Sequence, residues 1–246
     1  MKVLILAGGY GTRLYPVVKD TPKPLLKVGD RPIINYLIEK IRMQESLSEI
    51  LVVTNDKFYG LFVLWARQNA DFPVPIRVVN DGTRSPEDRL GSIGDIQYVL
   101  DNYPVDDDLL VLGGDNLFDY ALDGFIRFSA ERSPAVTIGL YDIGSLADAS
   151  RFGVVSLGQD GHVRSFDEKP TRPKSSLIAM CSYYFPSGSL GQITEYIQET
   201  QRTDKAGDYI RWLVEHGDVY GFEFSGAWYD IGSLQSLQEA QEKFQA

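Results

Sequence analysis

Gly8, Gly9 and Gly11 fall within four positions, directly after the apolar run Val3-Leu4-Ile5-Leu6, and Arg13 and Lys23 follow close behind. Residues without a Cβ let a backbone turn tightly and aim successive N–H groups at an anion. Two cations beside such a loop suit a polyphosphate; a bland turn needs neither. A carboxylate with its own placement signal comes later. Asp115 stands in Gly113-Gly114-Asp115-Asn116, immediately after Leu109-Leu110-Val111-Leu112. That unbroken apolar run predicts a central strand covered on both faces, and ligands of open α/β sheets bind outside the carboxyl ends of strands. Asp115 is thus placed at a crevice, as a candidate ligand for a hard divalent cation such as Mg²⁺.

Two common phosphate motifs do not fit. The dinucleotide fingerprint G-x-G-x-x-G requires glycine where this chain has Leu14, and no Gly-Lys-Ser/Thr closes a Walker A loop. The run Gly8-Gly9-Tyr10-Gly11-Thr12-Arg13-Leu14, followed by Pro22-Lys23-Pro24, instead resembles the signature of the sugar-1-phosphate nucleotidyltransferases, the NDP-sugar pyrophosphorylases. It looks closest to the short glucose-1-phosphate thymidylyltransferase/uridylyltransferase type. The resemblance covers essentially the entire chain as a lone catalytic domain, without the hexapeptide β-helix tail of larger relatives. It implies a three-layer, Rossmann-like α/β fold with a mixed, mostly parallel central sheet. The reaction it implies joins a nucleoside triphosphate, dTTP or UTP, to glucose 1-phosphate with Mg²⁺, releasing pyrophosphate. Mannose-1-phosphate guanylyl transfer, or another base and sugar pair, stays open.

The same resemblance distributes roles along the chain. Arg13 and Lys23 become catalytic cations. Leu6, Ala7, Gly8, Gly9, Gly11 and Thr12 bind the nucleotide, with Asn80 and Gly91 beside the base. Asp230, in Trp228-Tyr229-Asp230-Ile231-Gly232, joins Asp115 as a metal ligand. Glu168 and Lys169, before Pro170, take the sugar hydroxyls and the sugar phosphate, tasks that suit a carboxylate and a compact ammonium. Gly153, in Arg151-Phe152-Gly153-Val154-Val155, leaves room for the sugar ring, and Ser182 and Tyr184 fall where the family lines that pocket. The base region departs from the thymidylyltransferase pattern, reading Gly91-Ser92-Ile93-Gly94-Asp95-Ile96 after a longer, more charged loop. Guanine and cytosine therefore stay open as well.

Such chemistry needs no strong base, because the attacking phosphate oxygen is already anionic. The obstacle is repulsion between two polyanions, which positioning, cations and a metal relieve. The lack of a serine–histidine pair in the sequence pattern agrees with that.

Positioning falls to alternating elements. Strands are expected at 3–6, 50–53, 76–79, 109–112 and 135–140, and helices at 33–41, 58–68, 93–102 and 125–131, the rhythm of a mainly parallel sheet. After residue 140 the pattern turns β-rich. A hairpin is expected around Gly158-Gln159-Asp160-Gly161, then a strand at 176–185, helices at 190–199 and 209–215, a strand at 219–224 and an amphipathic helix at 236–244. The single domain 1–246 thus divides into a nucleotide half to about residue 140, a sugar half over 141–235 and a closing helix over 236–246.

Composition narrows the class further. The net charge of −10 opposes non-specific nucleic-acid binding. The one cysteine, Cys181, excludes an internal disulfide and fits a cytoplasmic setting. No apolar run has transmembrane length, and Met1-Lys2-Val3 leads straight into a strand, leaving no room for a signal peptide. His162 and His216 stand far apart and make a zinc site unattractive. The number of copies, a homo-oligomer included, is left open. A glycosyltransferase would want an Asp-x-Asp motif. Asp106-Asp107-Asp108 mimics one but precedes its strand, at the wrong end of the sheet, and reads as a solvated loop. A nucleotide-sugar sensor without activity is the remaining alternative, disfavoured by the joint presence of Arg13, Lys23, Asp115, Lys169 and Asp230.

Overall fold

The computed structural model describes residues 1–14 and 19–244, the side chain of Arg13 apart. β1 (Lys2–Leu6) runs into the glycine loop, then two short strands, β2 (Lys27–Val28) and β3 (Arg31–Pro32), and helix α1 (Ile33–Ile41). β4 (Glu49–Thr54), α2 (Asp56–Gln68), β5 (Ile76–Asn80), α3 (Gly91–Asn102) and β6 (Leu109–Gly113) follow in strict alternation. β7 (Asn116–Phe118), α4 (Asp123–Ala130) and β8 (Val136–Asp142) come next, before the short helix α5 (Leu146–Ala149). The later half comprises β9 (Gly153–Leu157), β10 (Val163–Glu168), β11 (Leu177–Phe185), α6 (Gly191–Thr200), α7 (Ala206–His216), β12 (Val219–Phe224), β13 (Trp228–Asp230) and α8 (Leu234–Phe244).

The central sheet runs β10-β9-β11-β6-β1-β4-β5, with β8 and β12 added beyond β11. β1 is parallel to both β6 and β4, and β4 to β5. Successive side chains of a strand face opposite ways, and the core divides accordingly. Val3, Ile5, Leu110 and Leu112 pack with α1, α2 and α4. Leu4, Leu109 and Val111 pack with α3, α6 and α7. A helix layer on each face is why the β6 run is apolar at every position. Each such fully buried leucine or isoleucine contributes about 1.5–3 kcal/mol relative to exposure.

β11 turns the sheet from parallel to antiparallel. Its early residues Ile178 and Ala179 pair with β9, and its later ones, Ser182–Phe185, pair with β6. β8 lies along its other edge. The expected hairpin is β9–β10, closed where Gly158 N donates to His162 O at 2.8 Å and Gly161 takes φ +80°. Three features lack a sequence forecast: the short β2–β3 pair, α5 and the antiparallel ribbon of β7 and β13. Asp108 corrects another reading. It does lie at the amino end of β6, yet its carboxylate accepts from the Tyr184 hydroxyl at 2.7 Å and Ser187 N at 2.9 Å. It anchors structure and is no solvated loop residue. Among the described residues, no helix is long and apolar enough to cross a membrane.

Candidate active site

The glycine loop is fastened from beneath by residues that carried no sequence signal for this role. Thr54 Oγ1 donates to Ala7 O at 3.2 Å. Asn55 caps α2 by accepting from Phe58 N at 3.1 Å, and its amide donates to Gly8 O at 2.9 Å. Both side chains are fully buried, so helix cap and loop share one satisfied polar network. Gly11 stands at φ +63°, a conformation that favours glycine. The Arg13 backbone belongs to the 3₁₀ turn Thr12–Leu14, while its side chain lies outside the described residues.

Lys23 leads the 3₁₀ turn Lys23–Leu25, and its Nζ donates to Asp115 Oδ2 at 2.8 Å. The approach depends on Gly114, whose N–H donates to Leu6 O at 2.9 Å and whose position has no space for a Cβ between that oxygen and Pro24. Asp230 reaches Asp115 through the ribbon. It is opposite Asn116 in register, and Ile231 N donates to Asp115 O at 3.0 Å. Trp228 Nε1 locks the ribbon by donating to Asn116 Oδ1 at 2.7 Å. Both carboxylates act on one buried thiol: burial pushes Cys181 up to about 12, and Asp115 and Asp230 add to it. Two carboxylates brought near one another by neighbouring backbone are the donor type that a hard divalent cation would accept. Among the described residues no group of three or more His, Cys, Asp or Glu forms a self-sufficient cage.

Glu168 ends β10, and Lys169 follows at φ +47°, its N–H donating to Phe152 O at 3.0 Å. The Lys169 ammonium lies 3.8 Å from Glu168 Oε1. Burial raises the Glu168 pKa, against the lowering effect of Lys169, Lys205 and Arg211. Gly207, in the first turn of α7, lets this carboxylate pass where a Cβ would collide with it.

These pieces line one cleft of about 560 Å³ at the carboxyl ends of β1 and β6. Leu6, Ala7, Gly9, Gly11, Thr12, Lys23 and Asp115 face it from one side, and Glu168, Lys169 and Lys205 from the other. Gly8 and Gly91 line a smaller cavity next to it, which shares Leu6, Gly9 and Asp115. Asp230 lines a third cavity of about 570 Å³, with Phe152 and Trp228.

Three expected site residues are placed differently. Tyr184 is buried with the α1, α2 and α4 layer, and its hydroxyl is spent on Asp108 at the opposite end of the sheet. Asn80 is committed locally, donating to Asp56 Oδ1 and accepting from Gly82 N, each at 2.9 Å. Gly153 does lie opposite Glu168, but the space beside it is filled by the ring of Phe166, which a Cβ would strike. Gly91 also has a structural reason. It stands at φ +81° against the backbone of Asp204, where the N–H groups of Ser92 and Ile93 donate to Asp204 O and Thr203 O. The α3 amino terminus is thus capped by the α6–α7 loop, and Arg89 pairs with Asp204 at 3.1 Å over it. Gly91→Ala is expected to cost about 1–3 kcal/mol through strain and collision, read as a fall of several degrees in Tm by calorimetry.

A sheet covered on both faces, with a glycine loop, a lysine and Asp115 at the carboxyl ends of β1 and β6, has the architecture of a nucleotide-handling transferase. The profile of the nucleotidyl transferase family matches residues 2–246, and the chain belongs to that family. A solved structure from Bacillus anthracis, designated a candidate glucose-1-phosphate thymidylyltransferase and holding sucrose, superposes with a TM-score of 0.85 at 27% identity, covering 100% of this chain and 95% of the other. A UDP-glucose pyrophosphorylase complexed with UDP-glucose shares the fold, with a TM-score of 0.81 at 20% identity over 99% and 97% of the two chains.

Proposed function

We propose that this nucleotidyl transferase joins a nucleoside triphosphate, dTTP or UTP, to a sugar 1-phosphate, of which glucose 1-phosphate is the first candidate. The observation that carries the reading is a single cleft with the glycine loop, Lys23 and Asp115 on one side and Glu168 with Lys169 on the other. An anion-cradling wall opposite a carboxylate and ammonium pair suits two phosphorylated substrates meeting head to head. The name given to the Bacillus anthracis structure supports the choice of sugar and base.

In this reading a sugar-phosphate oxygen forms the new bond to the α-phosphorus, and the α–β bridging bond breaks with its electrons leaving on pyrophosphate. Lys169 holds the sugar phosphate and Glu168 accepts from sugar hydroxyls. Lys23 and Arg13 offset charge on the leaving group. Asp115 and Asp230 would hold Mg²⁺, which would screen the two polyanions from each other. The single cysteine suits a cytoplasmic setting.

The test is pyrophosphate release from a panel of triphosphates and sugar 1-phosphates, and release with no pair in the presence of magnesium would sink the reading. Lys169→Ala is expected to raise the KM for sugar 1-phosphate by about tenfold or more, the loss of one charge-assisted contact, with a smaller change for the nucleotide. A selective loss of nucleotide affinity would move Lys169 to the other substrate.

A further inference from the structure

The smaller cavity, about 270 Å³, is lined by two carboxyls that the reaction scheme leaves unused, Asp81 after β5 and Asp95 on α3. Asp81 is 7% exposed and Asp95 6%. The Oδ2 atoms of both crowd one side of Gly8, where any Cβ would meet them, while the Asn55 amide donates to the Gly8 carbonyl at 2.9 Å. The glycine loop is thus fastened at a single residue by a helix cap and by an acid pair. Like charges this close and this buried do not both ionise, so the pair keeps one proton.

The surroundings assign that proton. Asp81 Oδ1 accepts from both N and Oγ1 of Thr83, each at 2.7 Å, and two good donors favour a carboxylate. Asp95 Oδ1 is fully enclosed, with no hydrogen-bond partner among the described residues. The carbonyl oxygen of a neutral acid tolerates that condition; a carboxylate oxygen pays far more for it. Asp95 therefore holds the proton and donates to Asp81. Burial and neighbouring Asp81 together push Asp95 up to about 8. Other charged groups nearby do not relieve the pair. Burial raises Asp81 too, against its Thr83 and Asp95 hydrogen bonds, and Asp88 adds to it. The Tyr10 hydroxyl is engaged with Thr83 Oγ1 at 3.4 Å. Arg89 is paired with Asp204, and Asp115 and the Cys181 thiol line the same cavity without acting on Asp95.

We propose that Asp95 is a positioning residue for the nucleotide: its proton, donated to Asp81, holds the two side chains together against Gly8, and loss of that proton drives them apart and releases the glycine loop from its phosphate-cradling shape. The proposal rests on the reading of the main cleft as a triphosphate site, for Gly9 follows Gly8 directly and lines that cleft. The pair needs no contact with a ligand, because it acts through the backbone. Between the ordinary carboxylate range and about pH 8 the folded chain keeps a proton that the unfolded chain has released, so stability also falls as pH rises across that window.

Pyrophosphate release is followed against pH for the wild type, Asp95→Asn and Asp81→Asn, with the most active triphosphate of the panel and saturating sugar 1-phosphate. In the wild type, kcat/KM for the triphosphate is expected to fall about tenfold per pH unit above 8. Each asparagine offers an amide donor to the remaining carboxyl and removes the second charge, so both variants should keep their neutral-pH value past that point. A merely structural role would lower activity at every pH alike. A flat wild-type profile, or the same alkaline fall in either variant, would overturn the proposal. Two further measurements on the wild type need neither turnover nor a variant. Infrared difference spectra should lose the carbonyl band of a protonated carboxyl as pH rises through 8. Amide exchange in the glycine loop should accelerate over the same range beyond that of the exposed hairpin turn at 158–161. Should no pair release pyrophosphate, the broader reading fails, and these two measurements judge Asp95 alone. Both changes together support the proposal; a band already absent at neutral pH, or loop exchange that tracks the hairpin, overturns it.

Discussion

Asp115→Asn and Asp230→Asn are each expected to lower kcat by about 100-fold or more, and the double variant is expected to fall little further. The two residues come from distant parts of the sequence, yet the β7–β13 ribbon pairs Asp230 with Asn116, next to Asp115, and Ile231 N donates to Asp115 O at 3.0 Å. If they hold one ion, losing either carboxylate disables the unit, and several kcal/mol of charge stabilisation go with it. Residues that act as a unit give strongly non-additive losses. A double-mutant cycle on kcat, run beside magnesium titrations, makes the measurement. Additive losses, or turnover that persists in EDTA, would show that the carboxylates do not share a metal.

Lys23→Ala is expected to reduce kcat by about 10²–10³, the range for removing one preorganised group that meets developing charge. Sugar 1-phosphate affinity should change far less. Lys23 pairs with Asp115 at 2.8 Å inside the cleft, so its loss also leaves that carboxylate without its counter-charge. Arg13→Ala should follow the same pattern of kcat loss. Near-native pyrophosphate release at saturating substrate in both variants would remove the glycine loop from the phosphate site.

The layers were legible because their code is local. The isoleucine and leucine spacing in α1 and the unbroken apolar run of β6 each report what covers them, and no distant residue is needed to interpret them. The β7–β13 ribbon was not, since three-residue strands carry no measurable periodicity and are held by a partner far along the chain. Site residues divide the same way. Lys23 and Asp115 belong to compact motifs, and the structure sets them in one ion pair. Tyr184 and Gly153 were assigned by position along a strand. Which face Tyr184 takes, and whether a ring already occupies the space beside Gly153, are decided by neighbours from other elements. Asn55 is the instructive omission. An asparagine just ahead of α2 is a readable helix cap, but nothing local says that its amide also holds the Gly8 carbonyl. Lys205 and Gly207 gave no signal at all, because only the docking of α7 on β10 brings them to Glu168.

β11 is one strand spent twice, first on β9 and then on β6. Recombination between relatives would meet a barrier there. A crossover near residue 140 would set β6 against a β11 taken from another chain, so the side chains packed along their shared edge would no longer be matched to one another. Substitutions around the cleft leave that seam intact, whereas exchange of whole halves cuts across it.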